Sequence, residues 1–155
     1  GVILMNIKRI VRELIKKHNT NDPFHLCECL DIVLKFENLG ILLGYCDSHY
    51  RIRTIHINQN VPSTLQRFIC AHELGHAILH HDINIPFLRA HTYYCTDKVE
   101  IQANMFAVEL LLSDELIMDH RDTNLYNLAR TVGLPIGLES LKEIERINFH
   151  GKNQI

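Results

Sequence analysis

The stretch Ala71-His72-Glu73-Leu74-Gly75-His76-Ala77-Ile78-Leu79-His80 decides how the rest of the chain is interpreted, because it contains the pattern His-Glu-x-x-His. Residues four apart lie one turn apart on the same face of a helix, so His72 and His76 can direct two imidazoles at one metal ion. Glu73 can then reach a water molecule beside that ion. Two histidines at this spacing, with a glutamate between them, are typical of zinc hydrolases.

The residues around this pattern predict a helix over 63–81, opened by a capping box at Ser63-x-x-Gln66. Apolar residues occupy nearly every face of that helix away from the pattern, which is typical of a buried central helix. The two histidines and the glutamate are therefore polar groups in the interior, and they cost stability unless they have partners. A metal ion is one such partner.

A catalytic zinc ion typically takes three protein ligands. Gluzincin-type enzymes bring the third, a glutamate, from a second helix, and Glu100 lies 24 residues after His76 in a helix predicted over 97–112. Glu100 shares one face of that helix with Asn104 and with two alanines, which allow close approach to the first helix. Asn104 can accept a hydrogen bond from the outer ring nitrogen of His72, a partner that metal-binding histidines usually need.

Other assignments stay open for the third ligand. Asp82 lies six residues after His76, but Leu79 stands where that class of zincin needs a glycine. His80 is one turn beyond His76 on the same straight helix, where it cannot easily complete a tetrahedron. Glu109 is predicted to face away from Glu100. Glu100 itself can instead belong to a capping box with Asp97, without any metal.

The remainder of the N-terminal part predicts two helices and a small antiparallel sheet of three strands packed on the central helix. The third strand contains arginine and histidine and is predicted to lie at the sheet edge. Hairpin turns are predicted at 37–40 and 47–49. The predicted helices cover 6–18 and 23–30, and the predicted strands cover 32–36, 40–46 and 51–57.

The sequence predicts a single α+β domain over residues 1–155, with a core over 22–113 and a helical C-terminal subregion over 114–155. A short helix capped by Ser113 is expected, another is expected over 123–131, and a last one is expected to end near residue 148. A chain of 155 residues is long enough for one proper core.

Composition excludes several classes of function. A formal net charge of −2 gives no basic surface for direct nucleic-acid binding. No apolar run reaches the length of a membrane helix, and the opening apolar residues are too few for a signal-peptide core. Five irregularly spaced cysteines argue against a disulfide framework and for a reducing compartment. We therefore expect a cytoplasmic location.

Residues 71–80, together with the pattern Glu100-x-x-Ala103-Asn104-x-Phe106-Ala107 and the following Leu110-Leu111, resemble the ImmA/IrrE-type metallopeptidases of bacteria, phages and mobile elements. The similarity spans about residues 22–113. It implies a zincin-like fold and a zinc ion held by His72, His76 and Glu100, with Glu73 as the catalytic base. Members cleave, or promote cleavage of, transcriptional repressors, so the resemblance implies a helix-turn-helix repressor as protein substrate.

The residues that would stabilise the oxyanion remain open among Tyr93, Tyr94, His80 and His91. The strand at 51–57 can pair with an extended substrate.

A different class of function is a metal-bound regulatory module that binds the repressor without cutting it. Its metal site would be closed by a further protein ligand such as Cys70, Cys95 or His80. A structural helical protein with a chance motif is the weakest alternative.

Overall fold

The structure, a computed structural model, describes residues 6–81, the backbone of residues 88–89, and residues 97–142. Within these ranges the architecture is α+β, as predicted. The helices are α1 (Ile7–His18), α2 (Pro23–Cys29), α3 (Ser63–Leu79), α4 (Lys98–Leu111), α5 (Asp114–Asp119), α6 (Leu125–Thr131) and a 3₁₀ helix (Leu138–Leu141). The strands are β1 (Val33–Glu37), β2 (Leu42–His49), β3 (Ile52–Asn58) and β4 (Leu88–Arg89).

The sheet is mixed, so the prediction of a three-stranded antiparallel sheet is wrong. Among the described residues it has four strands in the order β1-β3-β2-β4. β3 runs parallel to β1, with Val33 opposite Thr54 and Glu37 opposite Asn58. β2 is antiparallel to both β3 and the short β4.

The connection at 38–41 is not the tight hairpin that the sequence predicted. β1 and β2 run in opposite directions but are separated by β3, so the connection spans two strand spacings, roughly 9–10 Å. Asn58 at the end of β3 stabilises this wide connection. Its side-chain Nδ2 donates hydrogen bonds to the carbonyl oxygens of Gly40 at 3.0 Å and Leu42 at 2.8 Å. β3 is thereby held between the two strands that precede it.

The turn between β2 and β3 lies at Tyr50 and Arg51, not at 47–49. Both residues have positive φ, 51° and 67°, as in the two-residue hairpins whose twist matches the flanking strands. β3 is a central strand because it lies between β1 and β2. The prediction that it lies at the sheet edge is therefore wrong. Residues 54–57 of β3 are paired on both sides, so this part of the strand has no free backbone with which an extended substrate could pair.

Polar residues on β3 find partners inside the fold, which explains how they occupy a central strand. His56 is 7% exposed, and its two ring nitrogens lie 3.3 Å from Glu37 Oε2 and 3.1 Å from Asp47 Oδ2. The Tyr45 ring stacks on His56 with a centroid separation of 4.2 Å. Arg53 donates from Nη1 to the carbonyl oxygen of Ala77 near the end of α3.

α3 begins after Pro62, which occupies the N-cap position without a side-chain hydrogen bond, so the predicted capping box at Ser63 is wrong. Gln66 instead donates from Nε2 to the carbonyl oxygens of Gln59 and Val61, each at 3.2 Å. The helix start is therefore tied to the loop that follows β3.

α3 is buried between the sheet and α4, and two glycines allow this close packing. A Cβ added to Gly44 of β2 would lie 2.5 Å from Cγ2 of Ile69, and one added to Gly75 would lie 3.0 Å from Cβ of Phe106. Contacts this short leave no room for a larger residue at either position. The sheet and α4 thus both approach the residues of the His-Glu-x-x-His pattern.

The predicted caps of α4 and α5 are present. Asp97 accepts a hydrogen bond from the Val99 amide, and Ser113 accepts one from the Leu116 amide. α6 begins at Leu125 with Asn124 as its N-cap, two residues later than predicted. The 3₁₀ helix lies where a last α-helix was expected to begin, and the remainder of that prediction lies outside the described residues.

One cluster of buried apolar side chains joins α1, α2, the sheet, α3, α4 and the C-terminal helical part. No helix within the described ranges is long and apolar enough to span a membrane.

Asp114, the first residue of α5, connects α1 to the end of the described chain. Its carboxylate lies 2.9 Å from Lys8 Nζ, 2.8 Å from Arg12 Nη2 and 3.0 Å from Lys142 Nζ. Lys142 also contacts Glu109 at 2.7 Å, and the side chains of both lysines are almost fully buried. Burial opposes ionisation of Asp114, but the hydrogen bonds from Lys8 and Lys142 outweigh it and lower the pKa of the carboxyl group to about 2.

We predict that Asp114→Asn lowers the free energy of unfolding at pH 7 by about 1–2 kcal/mol, because buried lysines lose a charged acceptor. The folded-state pKa lies below the ordinary value of 3.8, so this contribution is complete above pH 4 and is lost as the pH falls towards 2. Urea denaturation at several pH values should show the difference from wild type shrinking over that window.

Glu115→Gln is the matched control. Glu115 is exposed, and this substitution removes the same charge one residue away from Asp114. A pH-independent deficit in Asp114→Asn, or an equal one in the control, would contradict the assignment.

Candidate metal centre

The two helices α3 and α4 bring three buried side chains together. His72 and His76 lie one turn apart on α3, and Glu100 lies in the first turn of α4. Their exposed fractions are only 1%, 2% and 3%. The close packing of Gly75 against Phe106 lets the helices approach near enough for these side chains to meet.

The three side chains converge on one point. His72 Nε2 lies 3.3 Å from Glu100 Oε2, His76 Nε2 lies 3.0 Å from Glu100 Oε1, and the two Nε2 atoms are 3.0 Å apart. These separations are close to the edge of a tetrahedron around an ion with zinc bond lengths, roughly 3.3 Å. Among the described residues this is the one group of three or more His, Cys, Asp or Glu side chains with metal-binding geometry.

Buried oxygen atoms without hydrogen bonds support the fit of a cation. Both carboxylate oxygens of Glu73 are buried and have no hydrogen-bond partner. Glu100 Oε1 is also buried without a satisfied hydrogen bond, although it lies 3.0 Å from His76 Nε2. Such atoms are costly in a protein interior. Two imidazole nitrogens and a carboxylate oxygen are ligands that zinc accepts.

The pKa values of the two glutamates in the cluster are shifted in opposite directions. Burial opposes ionisation of Glu100, but close contacts with the imidazoles of His72 and His76 outweigh it and lower its pKa to about 2. Burial raises the pKa of Glu73 to about 7, with the positive potential of His72 opposing and the charge of Glu100 adding to the shift. Glu100 is therefore a fixed anion, whereas Glu73 can exchange a proton near neutral pH.

The imidazoles respond differently to the same burial. Burial lowers the pKa of both rings, but at His72 the contact with Glu100 outweighs burial and the pKa is raised. At His76 burial prevails, and the pKa is lowered.

The outer nitrogen of each imidazole has a partner behind the site. His72 Nδ1 lies 2.8 Å from Asn104 Oδ1, the contact that the helix spacing predicted. His76 Nδ1 lies 3.0 Å from His80 Nδ1, and His80 Nε2 lies 2.7 Å from Gln102 Oε1. Sequence reasoning missed Gln102, because a glutamine two residues from Glu100 gives no signal until the angle between the helices is known.

β2 forms a wall beside Glu73. A Cβ on Gly44 would lie 3.8 Å from Glu73 Cγ, and burial together with the nearby charge of Glu73 raises the pKa of the Cys46 thiol to about 12. The Cys46 thiol therefore stays protonated and adds no reactive thiolate beside Glu73.

Several sequence-predicted candidates lie elsewhere. Glu109 pairs with Lys142, and Cys70 contacts Cys27 with a sulfur separation of 3.7 Å. His80 is behind His76, so it does not face the point where the three side chains converge. The five remaining candidates lie outside the described residues: Asp82, His91, Tyr93, Tyr94 and Cys95.

Comparisons with known proteins identify the family of the chain. The sequence profile of the IrrE N-terminal-like domain, from the peptidase M78 family, matches residues 27–138. The chain is 37% identical over 147 residues to the uncharacterized immunity region protein 2 of Bacillus phage phi105, covering 92% of this chain and 93% of that protein. It is 36% identical over 113 residues to the metallopeptidase ImmA of Bacillus subtilis (strain 168), covering 72% of this chain and 66% of that protein.

The profile match extends over most of the chain and includes α3 and α4, the two helices that supply the converging side chains. The chain therefore belongs to the ImmA/IrrE family of metallopeptidases.

Proposed function

We propose that this protein is a zinc-dependent endopeptidase with a zincin-like, gluzincin-type arrangement, and that it cleaves a transcriptional repressor of a phage or mobile element. One observation carries the proposal: Glu73 is fully buried, has no hydrogen-bond partner, and adjoins His72 beside three converging ligand atoms. A carboxylate in that setting is costly to stability and suited to proton transfer.

His72, His76 and Glu100 would hold the zinc ion. When bound, zinc supplies Lewis-acid chemistry, which activates water and polarises the scissile carbonyl. Glu73 takes the proton from the attacking water and then delivers it to the leaving amine. Burial, which raises the pKa of the Glu73 carboxyl group, makes its carboxylate a stronger proton acceptor than an exposed one.

Other residues of the chain prepare this chemistry. Asn104 holds the ring of His72 from behind, and β2 lies against Glu73 at Gly44, where an added Cβ would lie 3.8 Å from Glu73 Cγ. Glu100 stays ionised through its contacts with both imidazoles. Neither Cys70 nor His80 is directed at the point of convergence, which favours an enzyme over a regulatory module whose metal site is closed by one of them.

The choice of substrate rests on the family and on one relative. The resemblance to ImmA/IrrE-type peptidases implies a helix-turn-helix repressor, and the phage phi105 relative takes its name from an immunity region. The protein would act on the repressor itself, without binding nucleic acid directly, since the chain has a net charge of −2.

We predict that wild-type protein cuts the repressor encoded beside its gene, and that Glu73→Gln cuts it about 10²–10⁴-fold more slowly while still binding zinc. Fragments are identified by mass, and bound zinc is measured by elemental analysis. A chelator should stop wild-type cleavage, and added zinc should restore it.

Glu115→Gln, an exposed substitution of the same kind, should cleave at the wild-type rate. Cleavage by Glu73→Gln at the wild-type rate would disprove the mechanism. Stable binding of an intact repressor by the wild-type protein would instead favour the regulatory module.

We further predict that His76→Ala and Glu100→Ala lose stoichiometric zinc, because each removes one of three ligands. Their folded state is checked by circular dichroism, since both residues are buried. Full zinc occupancy in either variant would show that the ion binds elsewhere.

The burial of Glu73 predicts a pH-dependent cost in chelator-treated protein. Its folded-state pKa of about 7 exceeds the ordinary 4.5, so protonated Glu73 contributes stability that is complete below pH 4.5 and is lost as the pH rises through 7. At pH 8, Glu73→Gln should be more stable than wild type, by up to about 3 kcal/mol.

Urea denaturation of both proteins between pH 5 and pH 8 measures this difference. An equal stability of the two proteins at every pH would show that Glu73 carries no buried charge.

A further inference from the structure

A chain of hydrogen bonds extends from His76 away from the metal centre. His76 Nδ1 lies 3.0 Å from His80 Nδ1, and His80 Nε2 lies 2.7 Å from Gln102 Oε1. His80 is 5% exposed, and Gln102 is half-buried on α4. These hydrogen bonds thus connect the C-terminal end of α3 to Gln102 on α4, the helix that carries Glu100.

The bond between two imidazoles has a direction. A neutral imidazole carries one proton, so of the two Nδ1 atoms one must donate and the other must accept. If His76 Nδ1 donates, His80 Nδ1 has no proton, and the proton of His80 is on Nε2. That proton then needs an acceptor, which Gln102 Oε1 provides at 2.7 Å.

The opposite direction would disable His76 as a ligand. An N–H group at position 102 would donate to His80 Nε2, His80 Nδ1 would donate to His76 Nδ1, and the proton of His76 would be on Nε2. That atom faces Glu100 Oε1 at 3.0 Å and would carry a proton where a metal needs a lone pair. The acceptor oxygen that Gln102 presents to His80 Nε2 therefore favours the direction that leaves Nε2 of His76 free.

We propose that Gln102, acting through His80, is a positioning residue that keeps the proton of His76 on Nδ1 and leaves Nε2 ready for the metal. The proposal rests on the proposed function only in taking His76 as a metal ligand. His72 obtains the same result from one residue, because Asn104 Oδ1 accepts directly from its Nδ1 at 2.8 Å. Asn104 thus acts on His72 directly, whereas Gln102 acts on His76 through His80. Both Asn104 and Gln102 lie on α4.

The test compares variants that keep or remove an acceptor. Gln102→Glu offers only acceptor oxygens and should preserve the direction of the hydrogen bond between His76 and His80. Gln102→Leu removes the acceptor. His80→Asn can place an oxygen near the present Nδ1 and should rescue, whereas His80→Phe keeps the ring shape without an acceptor. His81→Phe, an exposed neighbour of His80, serves as a control.

The first measurement is the proton position in chelator-treated protein at pH 8, from ¹⁵N spectra in which protonated and unprotonated ring nitrogens resonate far apart. Wild type, Gln102→Glu and His81→Phe should show His76 protonated on Nδ1. Gln102→Leu and His80→Phe should show the proton moved to Nε2. An unchanged tautomer in these last two variants, or a wild-type proton on Nε2, would overturn the proposal.

The second measurement is zinc affinity by competition with a chromophoric chelator. Gln102→Leu and His80→Phe should bind zinc about 10–100-fold more weakly, with Gln102→Glu and His80→Asn within a few-fold of wild type. Equal losses in acceptor-keeping and acceptor-removing variants would show a merely structural role. Because neither readout involves cleavage, failure of the peptidase mechanism in Glu73→Gln is seen separately from failure of this proposal.

Discussion

The desolvation of a polar cluster inside α3 is the constraint on which the rest of the structure depends. His72, Glu73 and His76 are all buried, on a helix that the sheet covers on one side and α4 on the other. Water cannot compensate them there, so their partners must come from the protein or from a bound ion. α4 supplies partners for both histidines, because Glu100 contacts His72 and His76 and Asn104 contacts His72. Gln102, on the same helix, contacts His80 behind His76.

That constraint explains why small residues stand where elements meet. Gly44 lets β2 lie against α3 near Ile69 and Glu73, and Gly75 lets α4 lie against α3 at Phe106. A larger side chain at either position would separate the layers by some tenths of an ångström or more. Ion ligation and proton transfer need donor atoms placed to about half an ångström, so close packing of the layers is part of the chemistry.

Residues on one helix face could be predicted from the sequence, because the helical repeat alone places them. This holds for His72 with His76, and for Glu100 with Asn104. The order of the strands could not be predicted in this way. Alternating apolar residues indicate that a strand exists but not which neighbour it pairs with. The hydrogen bonds from Asn58 to the connection between β1 and β2 become visible only once the strand order is known. Gln102 was missed for a related reason, since its contact with His80 depends on how two helices cross.

The hydrogen bonds of the cluster differ between the two histidines and Glu73. They fix the ring orientation and proton position of the histidines, whereas Glu73 stays free to change its protonation state. Each imidazole has a partner on its outer nitrogen, through Asn104 for His72 and through His80 for His76. These bonds restrict ring rotation and proton position, which a metal ligand requires. Glu73 has no such bond at either oxygen. A partner there would hold one protonation state, whereas a base that accepts and returns a proton needs both states to be accessible. The missing hydrogen bonds of Glu73 are therefore consistent with its proposed role as a base, and the bonds of the histidines with their proposed role as metal ligands.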